Sequence, residues 1–126
     1  MTKVKRILPT WWFGAKAMAV YPDILATKKA KLTDIDINHE RIHLRQQAEM
    51  LVLPFVIWYF TEWAVKSLIG WKDAYRDISF EREAYENERD LGYLSNRKTP
   101  KRAHYARISI ALVLGSILSI WLMKYV

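Results

Sequence analysis

The stretch Asn38-His39-Glu40-Arg41-Ile42-His43 contains the pattern H-E-x-x-H. On a helix, positions i and i+4 lie about one turn apart on the same face. His39 and His43 then point the same way and can share one zinc ion through two imidazole nitrogens. Glu40 stands beside them, placed to act on a water at the metal rather than to ligate the metal itself. The chemistry this serves is metal-assisted hydrolysis with Glu40 as general base. The competing explanation is two helix histidines satisfied in a core, with Glu40 in a surface ion pair.

The element that must carry the motif is legible. Thr33-Asp34-Ile35-Asp36 fits the capping pattern S/T-x-x-D/E, with acidic residues in the first turn. Ile35, His39, Ile42, His43, Gln46 and Met50 fall on one stripe, which predicts a helix from 34 to about 50. The histidines lie on its inward face, and Arg41, Arg45 and Glu49 lie away from it. Asn38 and Gln46 read either as supports behind the metal ligands or as packing residues, with packing the preferred reading.

A hydrolytic zinc site needs a third protein ligand and an open fourth position. The chain has no cysteine, so the ligand must be His, Glu or Asp. His104 is the one remaining histidine. Glu81 and Glu83 are the better placed, in a second helix capped by Asp77 or Ser79 and expected to run to about Leu94. Glu81, Ala84, Tyr85 and Glu88 share a face of it, and a small Ala84 lets that face approach a metal closely. Glu83, Glu86 and Glu88 are expected in a solvated, charged face. Tyr75, Tyr85 and His104 are the candidates for a donor to an oxyanion.

With these residues in view, the chain resembles the gluzincin metallopeptidases. The segment from His39 to Gln47, followed by Phe80-Glu81-Arg82-Glu83-Ala84-Tyr85, is similar to small bacterial proteins of minimal gluzincin type that carry H-E-x-x-H-x-x-Q and a later F-E-x-E-A. It is more distantly similar to the membrane-bound CAAX prenyl proteases, whose third ligand is the first Glu of E-x-x-A-D. The resemblance covers about residues 16–90 and implies Glu81 as the third zinc ligand. Tyr85 stands where that second family has Asp, so the supporting role of the Asp has no match. The resemblance also implies that a hairpin before the motif helix supplies an edge strand for extended peptide substrate.

The remaining elements concern location. The chain has 126 residues and a net charge of +7, enough for one small domain. Lys3, Lys5 and Arg6 open a basic start that leads to Trp11-Trp12-Phe13-Gly14, a run suited to a membrane interface or to covering a core. Its apolar part is short and broken by Pro9, so no secretory signal is expected. Ala17–Val20 and Ile24–Thr27 read as a hairpin around Tyr21-Pro22-Asp23, with helix as the rival because of the alanine content. Residues 50–71 are strongly apolar, with Pro54 expected to bend them and Glu62 spaced to pair with Lys66. Residues 95–107 are basic, and residues 108–123 are uncharged. At 1.5 Å per residue the latter reach about 24 Å; with Ala106 and Val126, and with Arg107 and Lys124 snorkelling, they can cross a core of roughly 30 Å, the alternative being a buried C-terminal helix of a soluble domain.

If His39, His43 and Glu81 share one metal, residues 50–71 cannot be a single crossing, because that would separate the ligands. They must fold back, form core or dip into the bilayer. The expected fold is mainly α with a small β-hairpin, a minimal gluzincin-like zincin core with a C-terminal membrane helix. Residues 1–95 form the metal-binding domain, 96–107 a basic juxtamembrane linker and 108–126 the transmembrane helix. The expected function is zinc-dependent hydrolysis of a peptide or protein substrate; the alternative is a non-enzymatic membrane protein that keeps the fold. The expected location is a bacterial inner membrane, with the metal site on the cytoplasmic side by the positive-inside tendency. Nucleic-acid binding rests on charge alone and is not expected.

Overall fold

Helix α1 (Asp34–Met50) is the element on which the others are assembled. The computed structural model describes residues 2–11 and 14–125 of the chain. The Thr33 hydroxyl accepts from the Asp36 amide at 3.2 Å, and the Asp36 carboxylate accepts from the Thr33 amide at 2.8 Å, a reciprocal capping box.

The architecture is mixed α+β. Three strands, β1 (Val4–Leu8), β2 (Ala17–Val20) and β3 (Asp23–Thr27), form a sheet in the order β1-β3-β2. The sequence predicts the antiparallel β2–β3 pair but not β1, which adds in parallel to the other edge of β3. Its residues Val4 to Ile7 are exposed and only Leu8 is buried, so the alternation that marks a half-buried strand is absent. As the central strand, β3 buries Ile24 and Ala26 fully. The interface or core role expected of Trp11-Trp12-Phe13-Gly14 falls partly on Trp12 and Phe13, which lie outside the described residues.

Gln47 of α1 fastens the sheet to the helix. Its side chain accepts from the Tyr21 amide at 2.8 Å and donates to the Ala19 carbonyl at 2.9 Å.

Helix α2 (Val52–Leu68) leaves α1 at an angle of 114°. The bend expected at Pro54 falls instead at Leu51, which has φ 60 in the left-handed region. The reason is positional. Pro54 lies in the first turn of α2, where an amide has no intrahelical partner, so proline fits there without breaking the helix.

Helix α3 (Ser79–Asn87) returns to α1. Neither Asp77 nor Ser79 caps it: the N-cap is Ile78, and the Glu62 carboxylate of α2 accepts the Ser79 amide at 2.9 Å. An acidic side chain at a helix N-terminus also suits the helix dipole. The helix ends before the expected Leu94. The Asn38 side-chain amide donates to the carbonyls of Glu88 and Asp90 at 2.9 and 3.0 Å, which ties the end of α3 to α1.

After a short turn of helix, α4 (Tyr93–Asn96), the chain enters α5 (Lys101–Met123). This helix starts inside the basic run, so residues 101–107 are helical. Its first turns pack Ala103 and Ala106 against Met50, Phe55, Ile78 and Phe80, the main core cluster. From Ile108 onward it is exposed or half-buried, and it is long and apolar enough to cross a membrane.

Candidate metal centre

Adjacent turns of α1 bring His39 and His43 together, and α3 lays Glu81 against them. The two Nε2 atoms are 3.1 Å apart. Glu81 Oε2 lies 3.3 Å from His39 Nε2, and Oε1 lies 3.3 Å from His43 Nε2. All three residues are buried and could hold a metal ion. Ala84, one turn after Glu81 and fully buried, lets α3 approach this closely.

Each ligand is held from behind. The Gln46 amide nitrogen donates to the Phe80 carbonyl at 3.2 Å and to Glu83 Oε2 at 3.1 Å, two groups that only accept. Gln46 Oε1 therefore faces His43 Nδ1, at 2.8 Å, and the proton of His43 sits on Nδ1. In the same way the Glu88 carboxylate lies 2.8 Å from His39 Nδ1. Both imidazoles are thus arranged to present unprotonated Nε2 lone pairs to one point. Two lone pairs 3.1 Å apart repel unless a cation or a shared proton lies between them. On the third side, the Tyr59 hydroxyl of α2 donates to Glu81 Oε1 at 2.6 Å. Glu81 Oε2 is buried with no hydrogen-bond partner among the described residues. A buried carboxylate oxygen without a partner is uncommon and fits a metal ligand.

The electrostatics of the metal-free cluster follow. With no metal, protons stand in for the cation: burial raises the Glu81 carboxyl, but His39 and His43, charged and donating from Nε2, outweigh it and hold Glu81 well below the usual carboxylate range. Burial opposes charge on His39 and His43, yet the Glu81 carboxylate raises both above the ordinary imidazole value. Burial lifts the Glu40 carboxyl above its ordinary value, against the opposing pull of His43 and His39.

Glu40 lines a small cleft with Ala15, Ala17, His39, Tyr75 and Tyr85. The Tyr85 ring packs edge-on to His39 with centroids 4.7 Å apart, and the Arg76 guanidinium covers the Tyr85 ring at 4.3 Å. Ala17 of strand β2 lines this cleft, and no further strand pairs with the outer edge of β2 among the described residues. The carbonyl of Ala19 on that edge is taken by Gln47. Ala17, two residues earlier, presents its backbone groups on the same side by the alternation of a strand. His104 is exposed on α5 and does not line the cleft.

Three expectations about polar residues are corrected. Glu88 is not in a solvated face: it fixes His39. Glu83 is half-buried and bonded to Gln46, Tyr93, Arg97 and Arg102. Glu49 does not lie away from the core: it is 4 % exposed and bonded to Arg45 and Arg97 at 2.9 and 2.6 Å. In each case a partner far along the chain, which helical periodicity does not reveal, draws the carboxylate inward. Gln46 and Asn38 are buried, as packing residues would be, but they act through directed hydrogen bonds. Tyr59 had no signal beyond its place in an apolar run. No protein-family model, no curated protein and no solved structure matches the chain.

Proposed function

We propose that this protein is a zinc-dependent peptidase of minimal gluzincin-like type, held at a membrane by α5, with His39, His43 and Glu81 as ligands and Glu40 as general base. The observation that carries the reading is the pair of Nε2 lone pairs forced together by Gln46 and Glu88. The two Nε2 atoms lie 3.1 Å apart, and each has one of the two Glu81 oxygens 3.3 Å away, Oε2 at His39 and Oε1 at His43. Tetrahedral bonds of 2.0–2.1 Å space ligand atoms by roughly 3.3 Å, so the donor set fits zinc and leaves one position open. A bound zinc ion supplies Lewis acidity toward a water molecule and a scissile carbonyl.

The chain's own residues do the rest. The unpaired edge at Ala17 binds an extended peptide by backbone hydrogen bonds and lays it across the cleft. Glu40 takes a proton from the attacking water and returns it to the leaving nitrogen. Burial keeps the Tyr75 and Tyr85 phenols above their ordinary value, so both remain O–H donors for a developing oxyanion. On this reading the basic run that leads into the first turns of α5 puts the domain on the cytoplasmic side.

The test is metal analysis of the purified protein with a peptidase assay. Wild type is expected to hold one zinc per chain, and Glu40→Gln to keep the zinc but lose hydrolysis. Wild type without zinc sinks the enzyme reading. One observation favours a second reading, a membrane protein that binds metal without hydrolysing peptides: the cleft holds only about 190 Å³. Zinc bound at full stoichiometry without hydrolysis of any peptide in a diverse library would select it.

A further inference from the structure

Helix α2 has its polarity reversed. The residues it turns toward the protein are Phe55, Tyr59, Glu62 and Lys66, spaced one turn apart. Glu62 accepts from the Ser79 amide and hydroxyl at 2.9 and 2.7 Å and from Lys66 at 2.7 Å. Lys66 also donates to the Asp77 carbonyl. Both charged residues of the helix are therefore turned inward. The outward residues are apolar on three sides. Leu53, Ile57, Phe60 and Leu68 are 64, 58, 57 and 86 % exposed, and Val56, Trp58, Trp63 and Val65 are exposed beside them. Only Thr61 and Ser67 interrupt this surface, and neither carries charge. A helix facing water has the opposite arrangement.

We propose that α2 lies in the membrane interface without crossing it, its outer surface in contact with lipid acyl chains. Three features select lipid rather than a protein partner. The exposed apolar surface wraps around the helix, whereas a packed partner helix would cover one stripe. Trp58, Trp63 and Trp71 stand on or just beyond it, and tryptophan is favoured where hydrocarbon meets headgroups. The inner face of α2 is also packed against the base of the apolar helix α5, because Phe55 shares one buried cluster with Ala103 and Ala106, so α2 lies where α5 would meet the bilayer.

Two features exclude a crossing. The helix has 17 residues, about 25 Å, short of the hydrocarbon core. Its two ends also lead to α1 and α3, which meet in one cluster that Tyr59 touches from the middle of α2. The metal centre consequently sits about one helix diameter, 10–12 Å, from the acyl layer. The inference rests on the membrane part of the reading above and is independent of hydrolysis.

The chain has no cysteine, so each introduced one is unique. Full-length Leu53→Cys, Ile57→Cys, Phe60→Cys, Leu68→Cys, Leu114→Cys and Arg89→Cys variants would be spin-labelled in phosphatidylcholine–phosphatidylglycerol vesicles. Collision with oxygen and with a nickel chelate is then measured. The four α2 labels are expected to show an oxygen-to-nickel ratio several-fold above that of Arg89→Cys, all at one shallow depth, with Leu114→Cys deeper. Nickel-accessible α2 labels beside a lipid-buried Leu114→Cys overturn this inference and leave the membrane helix standing. Exclusion of both reagents from α2 overturns it in favour of a second copy of the chain. Depth that increases steadily from position 53 to 68 overturns it in favour of a crossing. Water at Leu114→Cys overturns the membrane reading and this inference together.

Discussion

Helices α1 and α3 hold two polar clusters side by side, and the two differ in how their carboxylates are satisfied. In one, Glu49 and Glu83 meet Arg97, and each of their four carboxylate oxygens has a donor: Arg45, Thr99 and Arg97 at Glu49, and Tyr93, Arg97, Gln46 and Arg102 at Glu83. In the other, His39, His43 and Glu81 turn acceptors toward one another and leave Glu81 Oε2 without a partner. The first cluster satisfies its carboxylates within the chain. The second is arranged as though a cation completes it. Buried charge at two neighbouring sites thus serves two ends, rigid attachment of α5 in one and, on the proposed reading, capture of a cation in the other. Gln46 joins them, since one side-chain amide contacts both His43 and Glu83.

The contrast breaks most sharply at the ligands. His43→Ala is expected to abolish stoichiometric zinc binding, read by metal analysis after dialysis. Stoichiometric zinc retained by His43→Ala would mean that this histidine is not a ligand. The ion-pair cluster should respond in the other currency. Arg97→Ala leaves the buried Glu49 and the half-buried Glu83 short of a partner and is expected to cost about 3 kcal/mol in urea unfolding. Arg97→Ala with unchanged stability would show that the network contributes little.

The residue shared by both clusters sharpens the comparison further. Gln46→Ala is expected to weaken zinc about 10–100-fold in a competition titration, because His43 loses the acceptor that fixes its proton on Nδ1. Tyr59→Phe removes one donor to Glu81 and should fall at the weak end of that range. The smallest effect concerns acid. Burial raises Glu49, but Arg97 and Arg45 outweigh it and hold its carboxyl below the ordinary value. Its stabilising contribution is therefore complete above the unfolded carboxylate value and disappears as pH falls through the lower folded value. Unfolding midpoints measured from neutral pH into that acid range should converge for wild type and Glu49→Gln. Parallel curves would place the acid sensitivity elsewhere.

Much of the centre was legible because its signals are local. The spacing of His39 and His43, the Thr33–Asp36 box and the pairing of Glu62 with Lys66 all act within one or two turns of helix. Glu81 required a shared face with Ala84 and the help of a family resemblance. What stayed hidden depends on distant partners. Glu88 shares the face of Glu81, yet only the approach of α1 turns a solvated glutamate into the acceptor for His39. Glu49 looks outward on α1 until Arg97 arrives from almost fifty residues away. Strand β1 escaped notice because an edge strand with one buried residue has no pattern to show. The orientation of α2 was hidden as well: its apolar residues announce burial, but in which solvent is decided by where Glu62 and Lys66 point.

The bend at Leu51 has a last consequence. Were that leucine to take the ordinary right-handed conformation, α1 and α2 would continue as one straight rod of about 50 Å. Tyr59 would then be carried away from Glu81, and Phe55 away from Phe80. The left-handed geometry costs a non-glycine residue about 1–2 kcal/mol. Whether this chain closes upon itself or lies open therefore turns on the handedness of one leucine.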